Sequence, residues 1–102
     1  MPTDDSQDFM RQGAEQAASM LRILGHPQRL LLLCLLIEHG EASVGALQAQ
    51  VQLSQSALSQ HLARMREDGL VCFRREAQTL HYRIADPRVE RLIATLKDLF
   101  CP

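Results

Sequence analysis

Ser54-Gln55-Ser56-Ala57-Leu58-Ser59-Gln60-His61-Leu62 decides how the chain is read. Ser54 has the side chain of a helix N-cap, an oxygen that accepts from the first free amides of the helix. From there Leu58, Leu62 and Met65 recur at i, i+4 and i+7, which sets one apolar face. At about 100° per residue, Gln55, Ser56, Ser59, Gln60 and Ala63 fall on the opposite arc. His61 lies on the flank of the apolar face, where a packed or hydrogen-bonded imidazole is expected. Upstream, Ser43-Val44-Gly45-Ala46-Leu47 opens a shorter helix with Val44 and Leu47 on one face, and Val51-Gln52-Leu53 is a short apolar connection. Two short helices joined by a few residues, the second polar on its outer side, read as a helix-turn-helix.

The residues that follow change period. Val71 and Phe73 alternate with Cys72 and Arg74, and Leu80, Tyr82 and Ile84 alternate with His81 and Arg83. Period-two patterning on both sides of Glu76-Ala77-Gln78 predicts a β-hairpin with basic residues near its tip. A helix-turn-helix followed by a basic hairpin is the pattern of a winged DNA-binding domain. The chemistry of the outer arc agrees. Gln pairs bidentately with adenine, Ser reaches bases or phosphates, and a small residue such as Ala63 permits close approach. A polar helix face is by default a solvated one; here the hairpin argues for a ligand.

Composition bounds the rest. One hundred and two residues make one domain, and 46% hydrophobic content supplies a modest core. With no Trp and 4% aromatic residues, that core is built from Leu, Ile, Val, Ala and Met. The net charge of −1 gives no global support to nucleic-acid binding, but the charge is unevenly spread. Asp4, Asp5, Asp8 and Glu15 face only Arg11 in the first twenty residues, whereas Arg64, Arg66, Arg74, Arg75 and Arg83 outnumber Glu67, Asp68 and Glu76 further on. A local basic patch of that size predicts salt-dependent binding. No apolar run approaches the roughly 18 residues that span a membrane, and no basic segment followed by an apolar stretch opens the chain. The expectation is a cytoplasmic protein with no membrane partner.

In chain order, residues 1–11 are polar and acidic and read as a flexible N-terminus, and residues 12–102 as one domain. Ala14, Ala17, Ala18, Leu21 and Leu24 define a first amphipathic helix that stops at Gly25. Pro27, favourable in a first helical turn, starts a second helix to about Glu38. Leu30 to Ile37 make it apolar all round, so it needs cover on every side and is the expected core helix. Gly40 ends it. After the hairpin, Asp86-Pro87 opens a last helix with Val89, Leu92, Ile93, Leu96, Leu99 and Phe100 on a broad stripe. First and last helices together carry more apolar surface than a small core absorbs, which predicts a symmetric homodimer through these two helices. The fold expected is mainly α with a small β-hairpin (α+β), a dimeric winged helix-turn-helix.

These stretches together, LGHPQRLLLL, SVGALQAQVQLSQSALSQHLARMREDGLV and RREAQTLHYRI, resemble the ArsR-type (arsenic-repressor-like) winged-helix transcriptional repressors over about residues 14–102. Within that family the resemblance is to the HlyU, YgaV and BigR type, which carries one cysteine in the second helix and another at the end of the last. Cys34 and Cys101 stand at those places. The resemblance implies that Gln55, Ser56, Ser59 and Gln60 read an operator in double-stranded DNA and that Arg74, Arg75 and Gln78 belong to the wing. It also implies that Cys34 and Cys101 form a redox sensor answering a small thiol-reactive inducer, a persulfide or an oxidant. Metal-sensing members carry Cys-x-Cys where this chain has Ser43-Val44-Gly45, or a last helix with His ligands, which this chain lacks. No metal and no cofactor is expected.

Without the resemblance, three scattered cysteines are either inert packing residues or redox-active ones. Leu33-Cys34-Leu35 favours inert packing, and Cys72 reads as a tolerated, half-exposed strand residue. A thiol-active enzyme is the first competing function, but there is no Cys-x-x-Cys and no nucleophile beside a base. A dimerisation module without DNA binding is the second, and it gives no reason for an Arg-rich hairpin beside a hydroxyl- and amide-lined helix face.

Overall fold

In the computed structural model, which describes residues 3–101, helical backbone begins at Thr3. Helix α1 (Thr3–Asp8) passes through wider, π-type turns (Phe9–Gly13) into α2 (Ala14–Leu24). Residues 1–11, expected to be a flexible leader, carry helical backbone from Thr3 onward, and Met1, Pro2 and Pro102 lie outside the described residues. Gly25 breaks α2, His26 turns extended, and Pro27 starts α3 (Pro27–His39). At the far end Gly40 adopts φ +77°, a conformation that favours glycine, and its amide donates to the Leu36 carbonyl at 2.8 Å.

Beyond Gly40 comes a strand that the sequence pattern does not announce. β1 (Ala42–Ser43) is two residues long, too short to show period-two alternation. It pairs antiparallel with β3 (Thr79–Ile84), Ala42 opposite Tyr82 and Ser43 opposite His81. β2 (Val71–Glu76) flanks the other side of β3, in register from Val71↔Ile84 to Glu76↔Thr79, so the sheet order is β1-β3-β2. The wing is therefore tied by its inner strand to the start of the helix-turn-helix. Ser43 ends β1 and caps α4 (Val44–Gln50), its Oγ accepting from the Ala46 amide at 3.0 Å. Ser54 caps α5 (Gln55–Glu67) in the same way, accepting from Ala57 at 3.1 Å. Asp86 caps α6 (Pro87–Phe100) through the Arg88 amide at 2.9 Å. The side-chain hydrogen bonds from Arg88 hold the Asp86 carboxyl below its ordinary range.

The core is aliphatic. Leu32, Leu33 and Leu36 of α3, Leu47 of α4, Leu58 and Met65 of α5 and Val89 of α6 are all fully buried. Tyr82 is the one buried aromatic among the described residues, and burial pushes its phenol up. Two apolar faces are less covered than one chain's core requires. α3 buries Leu32, Leu33, Leu35 and Leu36 but leaves Leu30, Cys34 and Ile37 half-buried and Leu31 41% exposed. The α6 stripe divides likewise: Val89 and Ile93 are buried, Leu92 and Leu96 half-buried, and Leu99 and Phe100 are 69% and 78% exposed. Among the described residues no single helix is long and apolar enough to cross a membrane.

Leu36 is fully buried on the core side of α3, so Leu36→Ala leaves a cavity there. The expected loss is about 2–5 kcal/mol, read from the urea midpoint at unchanged slope.

Candidate nucleic-acid interface

α5 rests on the core through Leu58, Leu62 and Met65, which turns Gln55, Ser56, Ser59 and Gln60 to solvent. All four residues assigned to base reading are exposed, and Ala63 is half-buried between them and the core. The hairpin stands beside this face. Gln55, Ser59 and Gln78 line a single cleft of about 570 Å³, together with Val44, Gln48 and Leu80. The Gln48 side chain donates to the Leu53 carbonyl across the helix-turn-helix connection, while its Oε1 is buried without a partner among the described residues. Helix and wing thus converge on one concave, uncharged, amide-lined surface.

The wing arginines divide in a way the sequence does not reveal. Arg74 is engaged with Glu41, the residue just before β1. Its Nε donates to both carboxylate oxygens at 3.2 and 3.1 Å, and a terminal nitrogen reaches the same carboxylate at 2.9 Å. That bonding holds the Glu41 carboxyl below 4.5 and raises the Arg74 guanidinium. A carboxyl with a depressed folded-state pKa stabilises above its unfolded value and stops doing so as pH falls through the folded one. Both groups face solvent, so the effect is small. Arg64 pairs with Asp68 at 3.0 Å, and Arg66 lies over the Phe73 ring at 5.1 Å from its centre. Arg75 and Arg83 are exposed and have no ion-pair partner among the described residues. Gln78 is exposed at the hairpin tip.

Cys34, Cys72 and Cys101 are free thiols. Cys34 and Cys101 border the same apolar groove of about 270 Å³ between α3 and α6, along with Leu30, Ile93, Leu96 and Phe100. Cys34 is half-buried and Cys101 exposed. Cys72 sits on β2 opposite Arg83, away from that groove. Among the described residues no three His, Cys, Asp or Glu side chains gather where a metal ion would be held.

Two contacts escaped the sequence reading. One is Glu41–Arg74, which joins residues 33 apart and follows only from the register of β1. The other is Arg29, whose Nε donates to His61 Nδ1 at 3.0 Å and whose terminal nitrogen donates to the Ile23 carbonyl at 3.1 Å. His61 on the flank of α5 gave half of that pair, a hydrogen-bonded imidazole. Arg29, in an otherwise apolar helix, gave no periodic signal.

Recognition helix, connecting helix and wing define a winged helix-turn-helix DNA-binding module. The chain belongs to the ArsR family: the model for "Bacterial regulatory protein, arsR family" matches residues 26–72. The HTH-type transcriptional regulator YgaV of Escherichia coli K12 is 47% identical over 93 residues, 91% of this chain and 94% of that protein. The transcriptional activator HlyU of Vibrio cholerae is 44% identical over 92 residues, 90% of this chain and 84% of that protein. Among solved structures, the transcriptional repressor BigR of Xylella fastidiosa superposes with a TM-score of 0.86 at 38% identity, covering 94% of this chain and 97% of that one. Reduced HlyU of Vibrio cholerae gives 0.85 at 42% identity, with 93% and 99% covered. The chain is a DNA-binding transcriptional regulator, not an enzyme.

The division among the arginines predicts unequal effects on DNA affinity. Arg75→Ala is expected to weaken binding to every duplex and to reduce the slope of log affinity against log salt by about one. Arg74→Ala is expected to change that slope less, because Glu41 already neutralises its charge. Measuring both slopes by fluorescence anisotropy on the same labelled duplex makes the comparison; equal losses contradict the division.

Proposed function

We propose that this regulator is a homodimeric repressor that reads an inverted-repeat operator and leaves it when Cys34 and Cys101 are oxidised or persulfidated. The observation that supports the switch is the shared groove, where a thiol on the core helix and a thiol at the end of α6 border the same apolar space. In base reading, Gln55, Ser56, Ser59 and Gln60 contact base edges in the major groove, each good bidentate pair contributing about 1–3 kcal/mol of discrimination. Arg75 and Gln78 contact the adjacent backbone from the wing, and Arg74 joins them to the extent that Glu41 releases it. The relatives' names include both an activator and a repressor. Repression is favoured here because a protein released by an inducer controls transcription most directly by occluding the promoter.

The dimer is built from the surface that one chain leaves bare. Leu31 of α3 and Leu99 and Phe100 of α6 are exposed large apolar side chains, as is Leu21 of α2. A second copy covers them at the cost of no polar group, and a two-fold axis then presents two α5 helices to half-sites about 34–36 Å apart.

In the switch, a low-molecular-weight persulfide transfers its outer sulfur to one cysteine, leaving the reduced carrier thiol. The second cysteine then attacks the inner sulfur of that persulfide, closing the Cys34–Cys101 disulfide and releasing hydrogen sulfide. Two cysteine thiols and one carrier persulfide become one disulfide, one carrier thiol and one hydrogen sulfide. The bridge ties the end of α6 to α3. Because α6 carries the dimer surface and α3 supports the helix-turn-helix, the tie alters the spacing of the two recognition helices.

Ser56→Ala or Gln60→Ala is expected to lose affinity for a duplex selected from a random library while leaving random-sequence binding unchanged. Equal losses on both duplexes overturn base reading by α5. Leu99→Glu with Phe100→Glu is expected to give monomers by analytical ultracentrifugation, and a persisting dimer places the interface elsewhere. These positions test the interface more cleanly than Leu92 or Leu96, which also pack on the chain's own core. Cys34→Ser and Cys101→Ser are each expected to bind the selected duplex and to keep it after persulfide treatment, whereas Cys72→Ser releases it normally. Release by either of the first two variants rules out the paired switch.

A further inference from the structure

Arg29 joins the end of α2 to the middle of α5 by directional hydrogen bonds, at the edge of the apolar core that both helices share. Its guanidinium donates to the last turn of α2 through the Ile23 carbonyl and to the middle of the recognition helix through His61 Nδ1, at 3.1 and 3.0 Å. Both Arg29 and His61 are half-buried. The His26 ring completes the corner, edge-on to His61 at 5.9 Å between centres. His61 follows Gln60 in α5, so a rotation of the helix that displaces one displaces the other. Leu58, Leu62 and Met65 seat one face of α5 on the core, and the hydrogen bond from Arg29 to His61 adds a directional contact that fixes the rotation more narrowly than apolar packing does.

We propose that Arg29 and His61 form a positioning strut that sets the rotation of the recognition helix, and that the strut exists only while His61 is neutral.

The chemistry is explicit. Arg29 has donors and no acceptor, so His61 accepts at Nδ1 through a lone pair and carries its proton on Nε2. Protonation fills that lone pair, removes the hydrogen bond and sets two cations against each other. The surroundings supply nothing to compensate. From the start of α3 the facing groups are Arg29 and His26, and from the end of α2 only an uncharged carbonyl. On α5 itself, one turn to either side, stand Ala57, Leu58, Arg64 and Met65, and Arg64 is bound to Asp68. Among the described residues no carboxylate pairs with His61. Burial first, then Arg29 and His26, holds the imidazole below its ordinary 6.5. The unfolded chain therefore binds the proton more readily than the folded one. The strut's contribution is complete above the unfolded value and is lost as pH falls through the folded one. Operator affinity should share that acid limit.

The experiment compares binding of a duplex selected at about pH 7.5 with binding down to about pH 5 for the full chain and two variants. His61→Asn keeps an acceptor at the Nδ1 position but cannot titrate. Wild-type affinity is expected to fall by about five- to tenfold relative to His61→Asn across this range. Arg29→Ala is expected to start about five- to tenfold weak and to lack the acid-side fall. Superimposable pH profiles for wild type and His61→Asn overturn the proposal. Imidazole nitrogen NMR on the unmodified protein decides it independently of how the variants fold. The strut requires His61 to be the Nε2–H tautomer at neutral pH and to titrate below the ordinary imidazole value; a proton on Nδ1 at neutral pH refutes it.

Discussion

The apolar helix α3 is the constraint from which the rest of the molecule follows. Leu32, Leu33 and Leu36 have no exposed surface, and each contributes about 1.5–3 kcal/mol by leaving water. That burial is attainable only if other elements close over the helix. α2 and α6 pack on it, and β1 and β3 cover its C-terminal part. α4 and α5 are then seated against the same core through Leu47, Leu58, Leu62 and Met65, which leaves the amide and hydroxyl face of α5 outward. The face of α5 proposed to read DNA is what stays outward once Leu58, Leu62 and Met65 are in the core. The partly uncovered flank of α3 is equally a consequence: Leu30 and Cys34 border the groove at the end of α6, and Leu31 stays exposed.

Much of this was legible because the signals are local. Ser43 and Ser54 announce the two helix starts, the i, i+4, i+7 spacing of Leu58, Leu62 and Met65 orients α5, and alternation from Val71 to Ile84 gives the hairpin, although Glu76, expected in the turn, pairs with Thr79 at the end of β2. What stayed hidden depends on distant pairs. Ala42–Ser43 is a strand only because Tyr82 and His81 lie beside it, and Glu41 meets Arg74 only because that pairing aligns them. The same holds for Arg29, whose role depends on the crossing of α3 and α5 rather than on its neighbours in sequence. The expectation that α3 is covered on every side also went too far, since periodicity counts apolar residues and not how many chains share them.

The candidate site was legible to different depths. Gln55, Ser56, Ser59 and Gln60 are exposed on one face as the helical arc requires, and Gln78 joins two of them at one cleft. Charge was the poorer guide. Five arginines in thirty residues look like one basic patch, yet Arg64, Arg66 and Arg74 are each occupied by Asp68, Phe73 and Glu41. Chain order could not indicate that Cys34 and Cys101, 67 positions apart, meet at one groove; only the resemblance implied their pairing.

In the proposed switch those two thiols react with each other and leave Cys72 aside. Peptide mapping by mass spectrometry reads this directly, on the intact protein treated with a small persulfide and then alkylated without reduction. The expected result is a linked peptide pair containing Cys34 and Cys101 from the same chain, with Cys72 recovered as the alkylated thiol. A link that includes Cys72, a link between chains, or recovery of Cys34 as a free thiol after DNA release would contradict it.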